Sequence, residues 1–173
     1  QKMQIWLQPN VTLGSLVEAW NAMLGPIAKN KFELLERLGE NYGVYLMSNT
    51  NEIHMAWFKD YVNQLYGKDV FFNFFEVAYL SNEMGMRKPH QEIFDFVIDQ
   101  NNLDATNTLF IDDSPQHLVG AKAAGLQTIW LEPGISEEIR SAPLIASAPV
   151  GHTHQGYVNS ILDNLFIPIY VVP

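Results

Sequence analysis

"TLFIDDSPQHLVGAKAAG", residues 108–125, runs from an apolar strand into two adjacent carboxylates, Asp112 and Asp113, and then into a helix that stops at Gly125. Two neighbouring anions at the end of a buried strand require a counter-charge. A strand followed at once by a helix is also half of a βαβ unit, and the same alternation extends in both directions. Upstream, "GVYLMSNT" (43–50) is an apolar run ending in small polar residues. The helix "NEIHMAWFKDYVNQLY" (51–66) follows, with Ile53, Trp57, Val62 and Leu65 read as its apolar face. Next come the strand "EVAYLS" (76–81) and the helix "HQEIFDFVIDQNN" (90–102), where Ile93, Phe94, Val97 and Ile98 fall at core spacing. Pro89 suits the start of that helix. Downstream, "LQTIWLEP" (126–133) is one more strand. Strands that are apolar throughout and alternate with helices predict an α/β fold, a parallel sheet covered on both faces.

Composition limits what such a fold can do. At 173 residues, 47% of them apolar, the chain suits one domain with a real core. Nineteen acidic against ten basic residues give a formal charge of −9, which opposes broad nucleic-acid binding but leaves room for a local cationic pocket. With no cysteine, disulfides and thiolate metal sites are excluded, in keeping with a cytoplasmic setting. No apolar run approaches the roughly 18 residues of a membrane span, and no signal peptide is visible. The chain begins at Gln1, so processing or a longer parent are both open.

In a parallel α/β sheet, ligands bind beyond the carboxyl ends of the strands. Three polar groups fall there. Ser48-Asn49-Thr50 closes one strand and opens a helix, so a hydroxyl and backbone N–H groups can hold an anion. Arg87-Lys88-Pro89 precedes another helix, and Lys88 can set a point charge on a phosphoryl oxygen. Asp112 and Asp113 offer hard oxygen ligands suited to Mg²⁺. Each has an ordinary structural role as well: Ser48 as a helix cap, Lys88 as a solvated loop charge, one aspartate as a cap. Their succession, each after a strand, favours a site.

"LMSNTN", "MGMRKPHQEIF" and "LFIDDSPQHLVGAKAAG" together resemble motifs II, III and IV of the haloacid dehalogenase-like hydrolase superfamily, over about residues 16–133. "VEAWNAML" looks like the later part of the helical cap of the subgroup whose cap follows motif I. The resemblance implies a Rossmann-like, three-layer α/β/α core (29–141) after a partial helical cap, or a degenerate first strand plus helix (1–28), with a tail (142–173) of unassigned role. It implies that Ser48 binds the phosphoryl group, beside the further substrate-binding candidates Asn49 and Thr50, that Lys88 steadies nucleophile and transferring group, and that Asp112 and Asp113 anchor Mg²⁺. The doubled aspartate resembles the phosphatase branch, acting on a small phosphorylated metabolite, rather than the metal-independent dehalogenases. Two departures stand out: His90 where relatives often have Asp, and His117 where many have Asn.

The family's nucleophile, an aspartate in "DxD" after the first central strand, has no counterpart before Ser48. "MQIWLQPNVTL" (3–13), laid on that motif, places Gln8 and Asn10 at the two aspartates, and an amide has no anionic oxygen to attack with. The alternative is that these residues belong to the cap and motif I lies upstream of Gln1. A non-catalytic binding module is therefore the rival to an enzyme. In the family the motif I strand lies between the strands of motifs II and IV, and an empty slot would leave buried backbone groups costing about 1–3 kcal/mol each. The slot is expected to be filled, by "MQIWL", by "PIYVV" or by a partner chain. The end "FIPIYVVP" (166–173) also offers an exposed edge for an oligomer contact. His152 and His154 lack a third ligand and read as surface residues, His54 reads as structural, and Trp20, Trp57 and Trp130 read as core or cap contacts.

Overall fold

Short apolar strands at regular spacing find their hydrogen-bond partners in one another, and five of them form a single sheet in the order β2-β1-β5-β3-β4. The computed structural model describes residues 11–24, 27, 29–131 and 169–172. Helices α1 (Leu13–Asn21) and α2 (Lys29–Gly39) precede strand β1 (Gly43–Ser48), followed by α3 (Glu52–Tyr66), β2 (Val77–Leu80) and the single turn α4 (Ser81–Met84). Then come α5 (Gln91–Asn101), β3 (Leu109–Asp112), α6 (Pro115–Ala123), β4 (Gln127–Trp130) and β5 (Ile169–Val172). Gln8, Asn10, "MQIWL", His152 and His154 lie outside the described residues. Among the described residues no helix is long and apolar enough to cross a membrane.

Side chains alternate across the strands and build two cores. Val44, Leu46, Ile111 and Ile129 face α2 and α3, where they meet Phe32, Leu35, Val62 and Phe71. Met47 and Phe110 face the other way, onto Ile93, Phe94 and Val97 of α5 and Leu118 and Ala121 of α6. This is the expected three-layer α/β/α arrangement. The apolar face expected on α3 is corrected: Ile53 and Leu65 are exposed, and Met55, Phe58, Val62 and Tyr66 face the core. The stripe runs at steps of three and four from Met55, whereas the expected set mixed residues from two sides of the helix. Trp57 instead stacks on Tyr61, their ring centroids 5.1 Å apart. Trp20 and Trp130 are 41% and 40% exposed, and each keeps a contact described below.

The sheet departs from an all-parallel pattern at its centre. β1 pairs parallel with β2, and β3 with β4, but β5 lies antiparallel between β1 and β3. Ile169 stands opposite both Leu46 and Ile111, and Val171 opposite Val44 and Leu109. Residues 169–172 therefore fill the central slot, satisfying backbone groups on both neighbours. The aromatic and β-branched composition of this segment suits a β-strand. An oligomer edge at residues 169–172 is thereby corrected, because Val171 is a core residue. Val171→Asp should lower the unfolding free energy by about 3 kcal/mol or more in urea titrations, since it buries an unpaired charge. Val119→Asp, at a position 69% exposed on α6, should change it by less than about 0.5 kcal/mol. Equal small effects would mean that β5 does not hold the centre of the sheet in solution.

Candidate active site

β1 and β3 run in the same direction, so Ser48 and Asp112 end on the same edge of the sheet. Lys88 reaches that edge from the loop between α4 and α5. Its side chain is fully buried, and its Nζ donates 2.8 Å to Asp112 Oδ2 and 2.9 Å to the carbonyl of Met47. One ammonium thus joins the ends of β1 and β3. The backbone of Lys88 is held as well: its N–H donates to Asn49 Oδ1 at 3.0 Å, and Asn49 Nδ2 donates to its carbonyl at 2.9 Å. The Lys88–Pro89 peptide bond is cis.

Asp112 is held by three donors. Besides Lys88 it accepts the Ser114 N–H at 2.8 Å, and His117 Nδ1 lies 3.0 Å from each of its oxygens. An ionised carboxylate only accepts, so the His117 proton in this bond sits on Nδ1. Burial pushes the Asp112 carboxyl upward, but the bond from His117 and the charge and bond of Lys88 outweigh it and hold the group below the usual carboxylate range. Burial lowers Lys88 to about 8, against the pull of Asp112, so the pair is charged at neutral pH. Asp113 is the group left over. Burial, and then the Asp112 charge, push its carboxyl above the ordinary value. Two carboxylates face one lysine, and the second lacks a cation.

The other expected residues divide. Ser48 lines the polar end of a cavity of ≈ 270 Å³ together with Asn49, Thr50 and His54, and Met55 and Phe58 lie in its apolar wall. The Asn49 side-chain amide is spent on Lys88. The Thr50 N–H is also taken, by Ser81 Oγ at 2.9 Å, and the same hydroxyl donates to the Thr50 carbonyl at 3.1 Å. Ser81 therefore ties the loop after β1 to α4, a role with no signal in the sequence. His54 meets Trp20, its Nε2 3.2 Å from that carbonyl, in line with a structural role. Trp130 Nε1 donates 3.0 Å to the Asp113 carbonyl. His117 is more than a rim residue, since it binds Asp112 directly. His90 stands before α5 without a side-chain cap bond. Among the described residues no group of three or more His, Cys, Asp or Glu is placed to hold a metal.

Comparison with known proteins agrees with this geometry. Residues 68–131, which carry Lys88, Asp112 and Asp113, match the haloacid dehalogenase-like hydrolase family. D-ribitol-5-phosphate phosphatase of Bacteroides thetaiotaomicron is 32% identical over 124 residues, 72% of this chain and 60% of that protein. The chain belongs to the haloacid dehalogenase-like hydrolase family. A sesquiterpene phosphatase of Aspergillus oryzae is 27% identical over 131 residues, 71% of this chain and 59% of its own length. Among solved structures, a haloacid dehalogenase family enzyme of B. thetaiotaomicron in complex with magnesium and inorganic phosphate superposes with a TM-score of 0.66 at 38% identity. That match covers 73% of this chain and 64% of the other. The chain thus spans about three fifths of the length of these relatives.

Lys88→Met strands a buried carboxylate and should cost about 3–5 kcal/mol of unfolding free energy in urea. Asp112→Asn should also destabilise. The double variant should lose less than the sum by at least about 1 kcal/mol, because each change removes the reason for the other group's charge. Additive losses would mean that the two side chains do not interact.

Proposed function

We propose that this chain forms the phosphoryl- and metal-binding part of a Mg²⁺-dependent phosphatase acting on a small phosphorylated metabolite. The observation that carries this reading is the buried Lys88 ammonium, fixed between Met47 and Asp112 at the sheet edge where Ser48 ends β1, with Asp113 beside it short of a counter-charge. The names of the relatives support it: two are phosphatases, and one solved structure holds magnesium with inorganic phosphate.

The donor set fits a hard divalent cation. Asp113 supplies a carboxylate whose ionisation is opposed by Asp112, a penalty that a cation removes. Asp112, already fixed by three protein donors, has lone pairs left for a shared ligand role. Mg²⁺ takes few protein carboxylates and completes its shell with water and substrate oxygens, so two aspartates suffice. Bound there, the ion would offset the negative charge of the phosphoryl oxygens. Ser48 would donate its hydroxyl to one of those oxygens, and Lys88 would hold a fixed positive charge beneath them. Asn49 and Thr50 shape the loop rather than contact the anion through the groups already engaged.

In titration calorimetry, the chain should bind orthophosphate in the presence of MgCl₂. Ser48→Ala should weaken orthophosphate about tenfold while leaving Mg²⁺ affinity unchanged. Asp113→Asn should weaken Mg²⁺ by tenfold or more. Absence of both interactions in the wild-type chain would overturn the reading.

A second reading, a non-catalytic phosphoryl-binding module, is favoured by the centre of the sheet. There Ile169–Val172 bring no carboxylate between β1 and β3. Release of orthophosphate from D-ribitol 5-phosphate and other phosphomonoesters separates the two. Mg²⁺-dependent release supports the enzyme, whereas binding of Mg²⁺ and orthophosphate without release supports the module.

A further inference from the structure

Lys88 is a buried side chain on an otherwise exposed stretch: Arg87 before it and His90 after it are both exposed. Fixing a lysine side chain is costly in rotamer entropy, and a long flexible stem transmits any drift of its backbone to the ammonium. The backbone here is gripped from two sides. On the β1 side, the Asn49 amide makes the reciprocal pair of bonds to the Lys88 N–H and carbonyl, at 3.0 and 2.9 Å. On the opposite side, α6 lies against Pro89 at Gly120. A Cβ on Gly120 would collide with the Pro89 carbonyl oxygen and stand 2.8 Å from a ring carbon of Phe94, so only glycine allows this approach.

The same helix fixes the partner of the lysine. His117, three residues before Gly120 and so on the same face of α6, holds the Asp112 carboxylate. One rigid element thereby sets the position of both charges, through His117 for the carboxylate and through Gly120 for the lysine's loop. Asn49, next to Ser48, ties that loop to the end of β1.

We propose that Asn49 and Gly120 are positioning residues for Lys88, acting through its backbone so that the ammonium stands between the Met47 carbonyl and Asp112. The grip stands on geometry alone; its effect on phosphate rests on the phosphatase-type reading above. The test is the ¹⁵N–¹H spectrum of lysine ammonium groups in the intact chain, with the Lys88 signal assigned by its loss in Lys88→Met. In the wild type that ammonium, buried and doubly hydrogen-bonded, should give a signal protected from solvent exchange. Asn49→Ala should leave the backbone amide spectrum dispersed but shift or erase the Lys88 ammonium signal. Orthophosphate affinity with MgCl₂ should fall about tenfold or more, the scale of loss from displacing a positioned group by about an ångström. Gly120→Ala should do the same, and if it fails to fold, the Asn49 variant decides alone. An unchanged Lys88 signal in folded Asn49→Ala overturns the proposal. A lost signal with unchanged orthophosphate affinity upholds the grip and instead removes Lys88 from the phosphoryl site.

Discussion

The hydrogen-bonded ion pair of Lys88 and Asp112 is the constraint around which the site is built. Burying both charges costs several kcal/mol in desolvation, which their attraction offsets only when every remaining donor and acceptor is satisfied. The fold supplies partners to both groups, two acceptors for the ammonium and three donors for the carboxylate. Met47 takes a second lysine proton, while Ser114 and His117 cover the carboxylate. β1 and β3 are two strand spacings apart, roughly 10 Å, with β5 between them. The ammonium spans that distance by bonding to Met47, the last residue but one of β1, and Asp112, the last of β3, each one residue beyond the level where Ile169 faces Leu46 and Ile111. Positive charge is thereby fixed at the middle of the carboxyl edge, where an anionic ligand of such a sheet would lie.

The charge count explains the doubled aspartate. The Lys88 charge and the His117 hydrogen bond answer Asp112, whereas Asp113 shares only the charge of the same lysine. A protein that needed only a strand terminus could place a neutral residue there. Retaining a second carboxylate whose ionisation is opposed is a cost with a use if a divalent cation shares the site. The cavity behind Ser48 adds a region with an apolar wall, between the end of β1 and the first turn of α3.

Much of this was legible in the chain because it depends on local pattern. The alternation of apolar runs with helices gave the layers, and the strand ends gave Ser48, Lys88, Asp112 and Asp113 as one group. What could not be read depends on packing in three dimensions. On α3 aromatic and aliphatic residues ring the helix, so the pattern picks out Val62, but only contact with the sheet selects Met55 and Phe58 over Ile53 and Leu65. Asn49 and Thr50 read as ligand contacts because their spacing fits an anion loop, yet loop closure turns their polar groups toward Lys88 and Ser81. The need to fill the central slot followed from hydrogen-bond accounting. That the segment 169–172 does so in the antiparallel sense had no sequence signal, because a short apolar run carries no direction.

The central claim is that the edge beside Asp112 and Asp113 gathers a divalent cation. The most direct measurement is paramagnetic broadening of backbone amide resonances by substoichiometric Mn²⁺, a reporter for Mg²⁺, competed with excess MgCl₂. The account predicts broadening centred on Asp113, Ser114 and Ser48 and reversed by MgCl₂. Broadening spread over the exposed acidic residues of α3 and α5, with the signals of Asp113 and Ser114 left sharp, would contradict it.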